Sequence, residues 1–191
     1  MLSPIVELLA ALRDALEPIT PRWYLFGAQA ALLHGAARLT ADVDVTVDAG
    51  THAAAELIAA LQHAGFTLRV ADAEQFIART RVIPLAHRAS GIPVDVILAG
   101  TGLEELFLQR AQVREVEGVS VRVASAEDIV VMKVLAARAK DLDDVRAILS
   151  AHPTDLDLAL IRNTLKELEQ ALDRSDLVTA FERARRQRRR K

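Results

Sequence analysis

Apolar residues recur at helical spacing over 3–17, SPIVELLAALRDALE, where Val6, Leu9, Leu12 and Leu16 fall on one face. Ser3 as cap and Pro4 at the first helical position set its start. The aromatic run WYLFG (23–27) predicts a short strand ended by Gly27, and AQAALLHG (28–35) a short helix closed by Gly35. DVDVTVD (42–48) alternates strictly and is the clearest strand of the chain. A helix over 51–65, with Thr51 as cap and Gly65 as stop, leads to a strand at 66–70. A short helix near 72–79 precedes two strands, 81–87 and 92–98, paired around Ser90-Gly91. Thr101 caps a further helix, GLEELFLQRAQ, and EVEGVSVRV (115–123) forms a hairpin turning near Gly118. Ser125, with Asp128 three residues on, caps a helix over 125–139. Helices then follow at 141–150, 155–171 and 175–188.

This order predicts a mixed α/β (α+β) sheet domain over 1–123, with a helical subdomain over 124–182 packed on it. No apolar run approaches the roughly 20 residues a bilayer requires, and residues 1–17 carry acids rather than the basic start of a signal peptide. A cytoplasmic protein is expected. The chain has 191 residues and no cysteine, which excludes disulfides, thiolate zinc sites and thiol catalysis. Residues 183–191, RARRQRRRK, hold seven of the 24 basic side chains and no acid, which leaves 17 bases against 26 acids elsewhere. An acidic body with a basic, disordered tail is one layout of proteins that meet nucleic acid. A solvated charged end is the other.

The carboxylates carry the chemistry. On a strand, Asp42, Asp44, Thr46 and Asp48 share one face while Val43, Val45 and Val47 pack behind. Carboxylates two residues apart can converge on hard cations, and a two-metal site needs shared and flanking carboxylates. Asp95 lies in IPVDVIL, where a carboxylate is costly unless paired, metal-bound or turned to solvent on an edge strand. If its strand lies beside 42–48, Asp95 completes an acidic triad. The strand-to-helix turn at Gly27-Ala28 lets backbone N–H groups approach a phosphate. Arg38 and Thr40 lie in the loop before Asp42, and Arg38 has the geometry to clamp phosphate oxygens.

The stretch LFGAQAALLHGAARLTADVDVTVD resembles the signature of the polymerase-β-like nucleotidyltransferase superfamily: strand, Gly-Gly or Gly-Ser, short helix, then Asp-x-Asp on the next strand. Its style is most similar to the AbiEii/AbiGii toxin-related branch, whose helical motif SAEDIVVMKVLAARAKDLDDVRAIL also resembles. The resemblance implies the minimal nucleotidyltransferase fold, an NTP substrate and two Mg²⁺ ions. Carried over residue by residue, it makes Asp42 and Asp44 the metal-binding pair and Asp95 the third acid. Lys133 and Lys140 become residues near the nucleotide phosphates, and Asp141 the acid of the second motif. On its residues alone, Asp141 reads equally as the cap of the helix that follows. Ala28 stands where the family has Gly or Ser, so the hydroxyl that would meet the phosphate is absent. The implied reaction moves a nucleoside monophosphate to a hydroxyl of tRNA or protein, in a toxin–antitoxin-like context with an antitoxin as partner. A small-molecule acceptor such as an antibiotic, and a non-catalytic nucleotide-binding partner of a toxin–antitoxin pair, are the alternatives.

The remaining signals are weaker. Gly100 and Gly102 lack the third glycine of a dinucleotide loop. The five histidines show no metal-ligand spacing, and His34 beside Gly35 is expected to pack or cap. Aromatic residues make up 4% of the chain, too few for a base-stacking platform.

Overall fold

The computed structural model describes residues 3–37, 40, 42–50 and 54–187. The chain divides into two compact units, one of Met1–Gln29 with Thr40–Ala124 and one of Ala30–Leu39 with Ser125–Lys191. The first is built on a mixed seven-stranded sheet in the order β3-β4-β5-β2-β1-β7-β6. Its strands are β1 (Trp23–Phe26), β2 (Val43–Val47), β3 (Phe66–Leu68), β4 (Val82–His87), β5 (Pro93–Leu98), β6 (Gln112–Val116) and β7 (Val119–Val123). The helices α1 (Pro4–Leu16), α3 (Ala54–His63), α4 (Ala73–Thr80) and α5 (Leu103–Arg110) belong to the same unit. Helix α2 (Gly27–Leu33) opens directly from the end of β1.

Sheet register explains which side chains face which way. β2 runs antiparallel to β1 and parallel to β5, and β4 runs antiparallel to β5. Opposed residues share a face, so Leu25, Val45, Val96 and Ile83 form one apolar row, all fully buried. Val119, Val121 and Val123 of β7 are also buried, and α1 packs on β7 and on α3. The core of this unit is therefore the valine-rich side of the sheet beneath α1. The next row, on the opposite face, is the polar one: Asp44 and Asp95 stand side by side, flanked by Phe26 and Pro84.

Pro84 is tolerated inside a paired strand because its carbonyl accepts from Arg69 N–H at 2.9 Å on the β3 side, where the missing N–H would also point. Pro93 opens its strand, and β5 lies between β4 and β2, so Asp95 is not an edge-strand residue. The β6–β7 hairpin turns through Glu117 (φ 47°) and Gly118 (φ 84°), two positive-φ positions as a primed turn requires.

The second unit contains α6 (Ala126–Ala136), α7 (Ala139–Ala151), α8 (Leu158–Ala171) and α9 (Leu177–Gln187). Ile129, Val134, Val145, Ile148, Leu165 and Phe181 are fully buried among them. The Ser125 hydroxyl accepts from Asp128 N–H at 3.1 Å, as its spacing predicts. Ser3 is the N-cap of α1, offering its carbonyl rather than its side chain. Two capping expectations differ. Gly102 rather than Thr101 is the N-cap of α5. Asp141 is not a cap: Arg138 holds that position, and Asp141 sits in the first turn of α7. Thr51 lies outside the described residues.

The basic end is also helical further than a disordered tail from 183 would be. Arg183–Gln187 complete α9, where Ala184 is buried and Arg185 pairs with Glu182 at 2.8 Å. Residues 188–191 lie outside the described residues. Among the described residues no helix is long and apolar enough to cross a membrane.

Candidate active site

Gly27 follows β1 and opens α2 with φ +69°, a conformation that disfavours any side chain. The space its Cβ would fill is taken by Asp44: an added Cβ would overlap the Oδ2 atom and lie 3.0 Å from Cγ. The turn after β1 is thus shaped to receive the carboxylate of β2. Opposed to Asp44 in the parallel register is Asp95 of β5. Neighbouring strands lie about 4.8 Å apart, so the two acids project from one face as adjacent side chains. The adjacency on which the third acid depended is present.

Asp42 precedes β2, and its Oδ1 accepts from the Thr40 hydroxyl. Asp48, at the far end of the strand, organises a loop instead. It accepts from Gly50 N–H at 2.9 Å and from Arg22 Nε at 2.7 Å. Arg22 also pairs with Glu105, whose pKa that hydrogen bond holds below the usual carboxylate range. Arg38 lies outside the described residues. Ala28 is buried at the start of α2.

One neighbour of the acids was not singled out from sequence. The Arg69 guanidinium pairs with Asp95 Oδ1, and its Nε donates to the Leu85 carbonyl at 2.8 Å. With Arg69 N–H bound to Pro84, the polar row runs from Arg69, just past the end of β3, through Pro84, Asp95 and Asp44 to Phe26. The signal was present only in register: Arg69 is a lone cation at the end of a short strand until β3 is laid against β4.

Lys133, Lys140 and Asp141 belong to the helical unit. Lys133 is buried, and its Nζ donates to Asp141 Oδ1 at 3.2 Å and Asp144 Oδ2 at 2.8 Å. Burial pushes the Asp141 carboxyl up, but hydrogen bonds from Arg138 and Lys133 outweigh it and hold the pKa below its ordinary value. Three of the motif's residues, Lys133, Asp141 and Asp144, therefore form one buried ion network across the α6–α7 turn. Lys140 is exposed. His34 is buried and packs edge-on against His152 at 6.1 Å, as a packing role requires.

Divalent ions take hard oxygen ligands, and Asp44 with Asp95 supplies them from adjacent positions on one face. The donor chemistry fits. Among the described residues, however, no three His, Cys, Asp or Glu side chains are gathered closely enough to hold a metal. Asp95 is turned to Arg69 and Asp42 to Thr40, so the expected triad is not drawn together.

Residues 2–189 match the family described as "Nucleotidyltransferase of unknown function (DUF6036)". The chain belongs to that nucleotidyltransferase family. No curated protein matches it. Among solved structures it is similar to the antibiotic-resistance factor ANT(2'')-Ia, with TM-score 0.58, 15% identity, and 88% of this chain and 95% of the other covered. It is also similar to an antigenic nucleotidyltransferase-like protein from Paracoccidioides brasiliensis, with TM-score 0.52, 21% identity, and 93% and 90% covered. These likenesses establish the nucleotidyltransferase fold, a mixed sheet flanked by helices. The match is to this family and does not extend to the AbiEii/AbiGii branch.

Proposed function

We propose that the protein moves a nucleoside monophosphate from an NTP to an acceptor hydroxyl, with release of pyrophosphate. The observation that carries this reading is the seat of Asp44 against Gly27 with Asp95 beside it in register. The acceptor oxygen forms a bond to the α-phosphorus, and the bond from that phosphorus to the bridging oxygen of pyrophosphate breaks. Mg²⁺, when bound, supplies charge neutralisation on the triphosphate and lowers the pKa of the acceptor hydroxyl. Asp42 and Asp44 are the residues that would hold two such ions, and Asp95 would ligate the second ion or take the acceptor proton. The backbone N–H groups at Gly27 and Ala28 would meet the phosphates, with Thr40 beside them, while Arg38 and Lys140 are phosphate contacts on the resemblance alone. Such sites act by positioning and charge neutralisation rather than by covalent chemistry.

Lys133 has a different part in this reading. Its ammonium is engaged by two buried carboxylates, so it orders the α6–α7 turn and with it the segment bearing Lys140. Phosphate contact by Lys133 would require it to leave Asp141 or Asp144.

For the acceptor we favour RNA, tRNA by the AbiEii-like resemblance, on the strength of the basic run 183–191. An antitoxin partner belongs to the same context. The likeness in fold to an antibiotic-resistance factor supports a second reading with a small-molecule acceptor. The test is incubation with each NTP labelled at the α-phosphate, Mg²⁺ and total RNA, or an aminoglycoside panel. Label should move to one acceptor class with the parent protein and not with Asp44→Asn. Equal labelling by both proteins would overturn the assignment.

A further inference from the structure

The polar row ends on a cation. Arg69 is anchored twice, by its N–H to Pro84 and by Nε to the Leu85 carbonyl, before its Nη2 reaches Asp95. Pro84 is itself the residue opposed to Asp95, so three strands fix the place of this guanidinium. The side chain is thereby held ready, with little rotamer entropy left to lose. Yet the pair is accessible to water: the Arg69 and Asp95 side chains keep 37% and 39% exposure. Magnitude decides what this means. An exposed ion pair contributes little net stability, whereas a buried one such as Lys133 with Asp141 and Asp144 is hard to open. The Arg69–Asp95 contact can yield to a competing cation, and the Lys133 network cannot.

We propose that Arg69 is the resident counter-ion of Asp95 and sets the divalent-cation affinity of the Asp44–Asp95 pair, releasing the Asp95 carboxylate when a divalent ion enters. The inference rests on the proposed role of Asp44 and Asp95 as cation ligands. It accounts for the two acids standing adjacent while no three-carboxylate group is gathered among the described residues. With no divalent ion, the guanidinium neutralises one of two neighbouring carboxylates and limits their repulsion. With one, the arginine is freed, still tethered at Leu85, beside the bound ion and whatever anion accompanies it. Arg69 is a positioning residue in this scheme, not a catalytic one.

Binding of Mn²⁺ to the full chain, read by the electron paramagnetic resonance signal of the free ion, tests this without any turnover. Arg69→Gln should tighten Mn²⁺ by about threefold or more, and Arg69→Lys, which keeps charge but loses the anchored fork, by less. Arg88→Gln removes an exposed charge of the same unit, past the end of β4 and four residues from Pro84, the residue opposed to Asp95, and should change nothing. In an Asp95→Asn background, Arg69→Gln should lose its effect. Melting curves by circular dichroism establish that each variant is folded, and the Lys variant serves where Gln is not. If Asp44→Asn weakens Mn²⁺ binding while both Arg69 variants bind as the parent does, the counter-ion proposal fails and the site assignment stands. If Asp44→Asn and Asp95→Asn both bind Mn²⁺ like the parent, the assignment of the cation site itself fails.

Discussion

The Asp44 carboxylate rests against the α-carbon of Gly27, in the volume that a side chain at position 27 would occupy. Strand pairing brings them together, because Asp44 is opposed to Phe26, the last residue of β1. The positive φ at Gly27 then turns the chain into α2 just where the acid projects. Turn and carboxylate are one construction, and a change to either is felt by the other.

Gly27→Ala should therefore damage function more than fold. An alanine at φ +69° costs roughly 1–2 kcal/mol of backbone strain, a drop of several degrees in melting temperature. The added methyl must also push the Asp44 carboxylate aside. Nucleotidyl transfer should fall by tenfold or more, beyond what the lost stability explains. A variant with the expected melting shift and parental turnover would separate the turn from the chemistry.

Asp44→Asn should leave the fold intact, with melting temperature unchanged or slightly raised, because it removes one of two like charges on adjacent strands. Transfer should drop by about a hundredfold or more, as loss of several kcal/mol of charge stabilisation demands. Asp42→Asn should do the same if Asp42 turns from Thr40 to join the pair. Label transfer from each NTP, compared at equal folded fraction, reads both variants.

The sheet and its acid strand were legible because their patterns are local. Strict alternation in DVDVTVD fixes which face carries the carboxylates, and the turn residues fix the hairpins at Ser90-Gly91 and Gly118. Asp95 needed one long-range fact, the β2–β5 pairing, which residue spacing cannot supply. Arg69 needed two, since it reaches Asp95 only across β4. The cap of α5 was misread because a backbone group at Gly102 does the work expected of the Thr101 side chain. Lys133 was read from its motif as a phosphate ligand. Its burial between Asp141 and Asp144 follows from α7 folding back on α6, which the spacing of three residues between the acids permits but does not reveal.

Lys133→Ala should be the most destabilising single change in the helical unit. It removes a shared partner from two carboxylates whose side chains are 0% and 4% exposed, Asp141 keeping its bond to Arg138. Removing one partner from a buried ion network costs up to about 3–5 kcal/mol. The double variant Lys133→Ala/Asp144→Asn should recover part of that loss. Urea unfolding of the single and double variants measures it, and equal midpoints for parent and Lys133→Ala would show the network to be energetically idle.

Acid should expose the same network. The folded-state pKa of Asp141 is depressed below its ordinary 3.8 by the hydrogen bonds from Arg138 and Lys133, which outweigh the opposing effect of burial. A depressed carboxyl contributes stability that is present above the unfolded pKa and lost as pH falls through the folded one. The gap in urea midpoint between the parent protein and Asp141→Asn should thus be constant near neutrality. It should narrow below about pH 4. A gap that widens in acid would contradict the direction of the shift.

The basic end offers a test of the acceptor that leaves the fold alone. Truncation must begin after Gln187, because Ala184 is buried and Arg185 is paired with Glu182. Residues 188–191 then remain, four bases in a row. If RNA is the acceptor and these charges meet its backbone, each neutralised phosphate releases a counterion. The logarithm of affinity falls with the logarithm of salt at about 0.7 per contact on single strands, so deletion should flatten the slope by up to about 3. Affinity at low salt should fall as well, and the melting temperature should hold. For a small acceptor, transfer should be the same with and without the four residues. Filter binding of tRNA at several salt concentrations, beside transfer to an aminoglycoside panel, distinguishes the two. An unchanged slope would remove the charge argument for RNA and leave the small-molecule reading ahead.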